Sequence, residues 1–321
     1  MNDLARIDVH QHLIPPEFRE ALGRHGMAGW APFEWSEAGA LAMMDDFGIA
    51  TGLLSLSTPG PHLGDDLEAR ELTRRINERI AGMVQRRPDR FGMFASVPLP
   101  DIEGSLEAIA YAYDQLSTDG VVLLANTRGT YLGDPKFEPV MAELGRRSAI
   151  VSIHPAHLEG RPVPGLHPSL ADFLLDTTRS AINLVLQGVT RRYPNIRFIL
   201  SHAGGFLPYA AHRIATLANV VDPAVDRVAM LEDLSSFYFD TALSGSPTAL
   251  PSLGAFVRPG HVLFGSDSPY ASGKTIGYFT NNLDRFAGLD EAAHTAINRA
   301  NAEILFPRLA LRRHEIERSQ S

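Results

Sequence analysis

Eight short apolar runs alternate with helical patterns along the chain, at residues 6–10, 52–57, 91–97, 120–124, 150–154, 196–201, 237–241 and 262–265. Continuous apolar strands bury both faces, so they belong in a parallel sheet covered by helices, and eight such units close most naturally into a cylinder. The sequence therefore predicts an α/β fold, a (β/α)8 TIM barrel. The helices carry their own punctuation. Asp65 and Asp66 precede apolar positions Leu67, Leu72, Ile76, Ile80 and Met83 before Pro88 ends the pattern, and a second helix is expected over residues 169–192. Residues 15–36 break the rhythm with Gly23, Gly26, Gly29, Trp30, Pro32 and Trp35, as expected of a small lid or wall inserted after strand one.

With 321 residues and no linker-like stretch, the chain is expected to form one domain over residues 1–321. Its tail, residues 312–318, reads as a solvated helix end. A hydrophobic share of 45% and a charged share of 21% are those of a globular protein. A formal charge of −8 disfavours nucleic acid and anionic membrane surfaces as partners. The start lacks a basic segment followed by a long apolar stretch, and no run is long enough to span a bilayer, so a cytoplasmic location is expected. There is no cysteine, which confines any metal to nitrogen and oxygen ligands.

Chemistry concentrates at the strand ends. His10 and His12 close the first run, and side chains at i and i+2 share a face, so both imidazoles converge just past the strand. Three later runs end in Ser152-Ile153-His154-Pro155, Leu200-Ser201-His202-Ala203-Gly204-Gly205 and Phe264-Gly265-Ser266-Asp267-Ser268-Pro269. In a barrel of this kind the C-terminal strand ends form the working face, which gathers His10, His12, His154, His202 and Asp267. Imidazole and carboxylate suit Zn²⁺ foremost, with Mn²⁺ or Fe²⁺ as alternatives.

In that order, over nearly the whole chain, these motifs resemble the amidohydrolase superfamily. More narrowly they resemble the branch containing 2-amino-3-carboxymuconate 6-semialdehyde decarboxylase and the γ-resorcylate and 6-methylsalicylate decarboxylases. Ala28-Gly29-Trp30, Gly133-Asp134-Pro135, Phe137-Glu138-Pro139-Val140 and residues 202–208 support the likeness. The resemblance implies that His10, His12, His154 and Asp267 bind one metal, while His202 stays off it as acid/base and Asp267 shares in catalysis. Binuclear members bridge their metals through a carboxylated lysine. The two lysines here, Lys136 and Lys274, do not end strands, which favours one metal.

The expected function is a metal-dependent, non-oxidative decarboxylase of a small aromatic or unsaturated carboxylic acid. The alternatives are a metal-dependent lactone or amide hydrolase on the same barrel, and a barrel that binds metal and ligand without turnover. Arg213 follows strand six where the branch has an arginine reaching a neighbouring subunit's substrate, which implies a homodimer or higher homo-oligomer; packing on its helix is the alternative. The branch's insertion with a second substrate arginine is missing, since the stretch between Trp30 and Trp35 is too short, and a monocarboxylic acid becomes the expected substrate. Arg128 is a candidate for the carboxylate, Trp30, Phe206 and Tyr270 for stacking on a ring, and His157 and His62 for the mouth loops. Asp240 either orients a site group or caps the next turn, and Asp8 is read as facing away from His10, either supporting the site from behind or purely structural.

Overall fold

The computed structural model describes residues 5–160 and 163–310, so the tail reading over residues 312–318 lies outside the described residues. Eight strands run parallel in chain order: β1 Arg6–His12, β2 Ile49–Ser55, β3 Phe91–Ser96, β4 Gly120–Leu124, β5 Ile150–His154, β6 Arg197–Leu200, β7 Tyr238–Asp240 and β8 Val262–Leu263. The chain after β8 returns to β1. Val9 donates its amide to Phe264 O (2.9 Å), Asp267 to His10 O (2.8 Å) and His12 to Ser268 O (2.7 Å), so residues 264–268 all but close the cylinder.

Strand β1 carries a bulge. Asp8 pairs with Gly52 and Gln11 with Leu54, so three steps along β1 match two along β2. The extra residue changes the phase of the pleat. Ile7 and Val9 therefore pack in the same interior cluster as Leu53, Phe94, Val122, Ile150, Ile199 and Leu263, yet His10 and His12 also gather inside the barrel, one layer above. Without the bulge, strict alternation would carry His10 to the opposite face from Val9.

That interior layer is plugged from below by Leu305, Phe306 and Leu309, with the Phe306 ring edge-on to Phe94 at 5.9 Å. A larger apolar cluster fills the space between the strands and the surrounding helices, with Phe18, Phe91, Phe137 and Phe237 fully buried. The helix expected near Asp65 spans Asp66–Arg86, and Asp65 caps it by accepting from Glu68 N at 2.8 Å. The helix expected over residues 169–192 is divided into a 3-10 turn Pro168–Leu170 and helices Asp172–Leu186 and Val189–Arg192, because Gly188 turns left-handed at φ +68°. The segment over residues 15–36 folds as helix Pro16–Arg24 and the 3-10 turn Ala28–Trp30. Glu17 anchors it to helix Asp66–Arg86 by accepting two bonds from Arg79, at 2.6 and 2.8 Å. Among the described residues no helix is long and apolar enough to cross a membrane.

Because Phe306 seals the barrel floor, Phe306→Ala is expected to cost about 3–5 kcal/mol of unfolding free energy. Denaturant melts of the two proteins check this, and a difference under about 1 kcal/mol would remove the plug from its structural role.

Candidate metal centre and active site

Each donor at the barrel mouth is oriented by a neighbour that fixes its tautomer. His10 Nδ1 lies 2.7 Å from Asp240 Oδ2, and a carboxylate only accepts, so the proton sits on Nδ1 and the Nε2 lone pair faces the centre. His154 does the same against Pro155 O at 2.8 Å. Ser55 sends its hydroxyl proton to Gln11 O at 3.3 Å and accepts from His12 Nδ1 at 3.0 Å, leaving the Nε2 of His12 as an acceptor too. His10 Nε2 and His12 Nε2 then stand 3.0 Å apart with lone pairs converging, and Asp267 Oδ1 lies 3.4 and 3.3 Å from them.

One ligand atom from each of His10, His12, His154 and Asp267 falls within 4.8 Å of all the others, and all four residues are buried. Converging acceptors repel one another unless a cation lies among them, so the donor set fits one divalent ion with nitrogen and oxygen ligands. The electrostatics agree. Burial pushes His12 and His154 down, His154 well below the ordinary histidine range, so both stand deprotonated. Burial also pushes against ionisation of Asp267, but bonds from His10, His12 and His202 outweigh it and hold the carboxyl well below its usual range. His10 is the reverse case. Burial disfavours its charge, but Asp240 and Asp267 together hold its proton affinity well above normal, which marks a centre that attracts positive charge.

His202 stands beside the cluster, with its Nε2 3.6 Å from Asp267 Oδ2 and its ring centroid 4.9 Å from that of His10. Asp240 serves both sides of the site, because its Oδ1 accepts from His202 N at 2.9 Å while its Oδ2 holds His10. His202, Ala203 and Asp267 all have left-handed backbones, with φ of +54°, +54° and +62°. Non-glycine residues in this region store about 1–3 kcal/mol each and persist only where surrounding bonds over-determine them. Here Asp8 supplies such bonds. It accepts from His10 N and Ser266 N at 3.0 Å each and from Ser266 Oγ at 2.5 Å, while burial pushes its carboxyl up to about 7. Gly205 completes the turn after His202 at φ +65°, where a Cβ would lie 2.1 Å from Leu174 O.

Above the cluster opens a cavity of about 880 Å³, with His154, His202 and Asp267 in its lining. Trp30, Phe33, Tyr270, Phe173 and Phe279 supply aromatic wall, and the segment over residues 15–36 does act as a side of the mouth. Tyr270 lies edge-on to His12 at 5.5 Å and donates to Trp30 O at 3.2 Å, with burial pushing its phenol up to about 12. His157 lines the rim, edge-on to Trp30 at 4.3 Å. Arg128 lies in the turn of the short antiparallel ribbon formed by Asn126–Thr127 and Thr130–Tyr131, where with His62 it lines a side cavity of about 250 Å³ that shares Met27, Thr58 and His157 with the large one. Arg213 and Phe206 are exposed on and before helix Leu207–Val221 and do not line the large cavity.

The sequence reading did not single out Ser55, which orders His12, or Asp176, whose buried carboxylate accepts from Asn126, Tyr131 and the amide of Ala156 and so pins the loop beyond His154. Ser55 does end β2, but a lone serine at a strand end or an aspartate inside a helix gives no local signal of chemistry.

Comparison with known proteins agrees with this geometry. A family model described as amidohydrolase matches residues 7–308. The chain is 38% identical over 316 residues to a 6-methylsalicylic acid decarboxylase of Penicillium expansum, covering 95% of this chain and 97% of that one. It superposes with a TM-score of 0.87 and 33% identity on a crystal structure described as an amidohydrolase II, covering 94% of this chain and 99% of that one. A dihydroxybenzoic acid decarboxylase of Polaromonas sp., solved with manganese and 2-nitroresorcinol, shares the fold at 22% identity and a TM-score of 0.79, covering 94% and 97% of the two chains.

Asp240→Asn tests the tautomer argument. An amide nitrogen facing His10 Nδ1 cannot accept its proton, so divalent-metal affinity is expected to fall about 10–100-fold while the chain still folds. Metal titration read alongside circular dichroism checks this, and unchanged affinity would show that Asp240 does not orient His10.

Proposed function

The chain belongs to the amidohydrolase family, and on that premise we propose that it is a single-domain, metal-dependent, non-oxidative decarboxylase of a small aromatic acid of the 2-hydroxybenzoate type. What carries the reading is the combination of a four-donor cluster and an adjoining His–Asp pair in the floor of a cavity walled by aromatic and aliphatic side chains. The full-length relative from Penicillium expansum supports the same chemistry, and the hydrolase alternative is not needed.

His10, His12, His154 and Asp267 would hold the cation, zinc foremost on the chemistry of three imidazoles and one carboxylate, although the Polaromonas protein carries manganese. When bound, the ion supplies a fixed positive charge that polarises a substrate oxygen. The remaining work falls to the protein. Trp30, Phe33 and Tyr270 enclose a planar ring and exclude water from its faces. His202, with its Nε2 facing Asp267 Oδ2 at the cavity floor, delivers a proton to the ring carbon bearing the carboxylate. The bond from that carbon to the carboxylate then breaks, its electron pair restores the aromatic ring, and CO₂ leaves. One proton enters and one CO₂ departs, so no redox partner is required.

Arg213 sits in an exposed stripe with Tyr209, Leu217 and Val221 on helix Leu207–Val221. An apolar stripe around a cation suits a homodimer contact through which Arg213 reaches toward the neighbouring subunit's substrate. Arg128 is assigned to the rim rather than to the carboxylate, because it lines the adjoining side cavity and not the one above the cluster. A cytoplasmic location belongs to the same proposal and is tested by cell fractionation.

Chelation is expected to abolish CO₂ release from hydroxybenzoates, and Zn²⁺ to restore it. Restoration by Mn²⁺ alone would overturn the choice of zinc and keep the site. His202→Ala should retain a full equivalent of metal by elemental analysis yet lose about 10²–10⁴-fold in kcat; undiminished turnover would remove it from the proton path. Light scattering should find a dimer that Tyr209→Asp with Leu217→Asp converts to a monomer, and a monomeric parent protein would refute the interface.

A further inference from the structure

Leu243 occupies a backbone that does not suit it. It lies three residues beyond Asp240 at φ +51°, and among the described residues with left-handed backbones it is the one branched aliphatic side chain. Glycine or asparagine would take this conformation with little strain. The loop leaves no alternative. Ala242 N donates to Asp240 Oδ1 at 3.0 Å, Ser244 N donates to Thr241 O at 3.0 Å, and a Cβ on Gly245 would lie 2.2 Å from Phe279 O. The turn is thus clamped between β7 and helix Gly273–Asp284, and the leucine side chain is carried into the lining of the large cavity, which it shares with Phe279, His202 and Asp267.

The surroundings of Leu243 define what it meets. Among the described residues no arginine or lysine lines the cavity, and Phe173 and Leu174 extend its apolar lining. Within one subunit the carboxylate of a substrate is therefore left to the metal-binding floor; Ser57, Thr58, Ser169 and Thr275 bring hydroxyls to the lining, while Leu243, Phe279, Phe173 and Leu174 supply apolar surface. A ring hydroxyl or a second carboxylate set against those apolar side chains would be desolvated without a partner, whereas an alkyl group would gain contact.

We propose that Leu243, with Phe279, forms an apolar flank that selects an aromatic acid bearing an alkyl ring substituent over the same acid bearing a hydroxyl at that position. The inference rests on the decarboxylase reading above, and its test separates the two. CO₂ release by the metal-loaded protein is measured on 2-hydroxy-6-methylbenzoate and on 2,6-dihydroxybenzoate, with thermal melts of each variant. The native protein should favour the methyl acid in kcat/KM by about 10-fold or more. Leu243→Asn, whose side chain suits the left-handed backbone, should melt no lower than the native protein and lose that preference about 10-fold, while Leu243→Met should keep it. An unchanged preference in Leu243→Asn, or a native preference for the dihydroxy acid, overturns the flank alone. Release of CO₂ from neither acid overturns the decarboxylase reading beneath it.

Discussion

The return of the chain from β8 to β1 is the constraint on which the rest of the structure depends. Backbone bonds from Val9, His12 and Asp267 join the two strands across the seam, and the same bonds bring the Asp267 carboxylate against His10 and His12. Barrel closure and assembly of the metal site are therefore one event. The bulge in β1 belongs to the same seam, because it lets one strand contribute both Val9 to the apolar interior and two imidazoles to the layer above it.

Around that seam the protein concentrates polar groups that would be costly if unpaired. Asp8, Asp240 and Asp267 are all buried, and each accepts bonds from main-chain amides or imidazoles. Asp240 has the widest reach: a single carboxylate fixes the tautomer of His10, anchors the main chain of His202 and starts the turn that presents Leu243. Four of the eight non-glycine left-handed backbones among the described residues, His202, Ala203, Leu243 and Asp267, fall here. Strain of this kind persists where bonds from several elements converge, which is also where side chains must be held most firmly for chemistry.

The cavity adds a separate logic. The buried titratable cluster lies at its floor and most of its aromatic surface in its walls, so orientation of a ligand follows from which of its ends is charged. Arg128, a natural candidate for a carboxylate when read from sequence, falls in a neighbouring cavity because its ribbon turns away after β4. Arg213, likewise a candidate, lies on an outer helix face.

Much of this was legible in the sequence, for reasons of period and punctuation. Apolar runs bounded by His, Asp, Gly and Pro gave eight strands, and within them the four donors His10, His12, His154 and Asp267, because strand ends are short and their side-chain phase is fixed. The division of the helix at Gly188 escaped notice, since a lone glycine inside a periodic pattern does not announce a left-handed turn. By itself the sequence determined which residue types stand at the strand ends and hence what kind of ion and proton chemistry the molecule can support. Tertiary structure alone decided that Ser55 and Asp240 orient the ligands, that Arg128 and Arg213 miss the cavity, and that Leu243 enters it. Those outcomes turn on closing a cylinder and shifting one strand by a single residue, which are relations between segments far apart in the chain and leave no mark on any one of them.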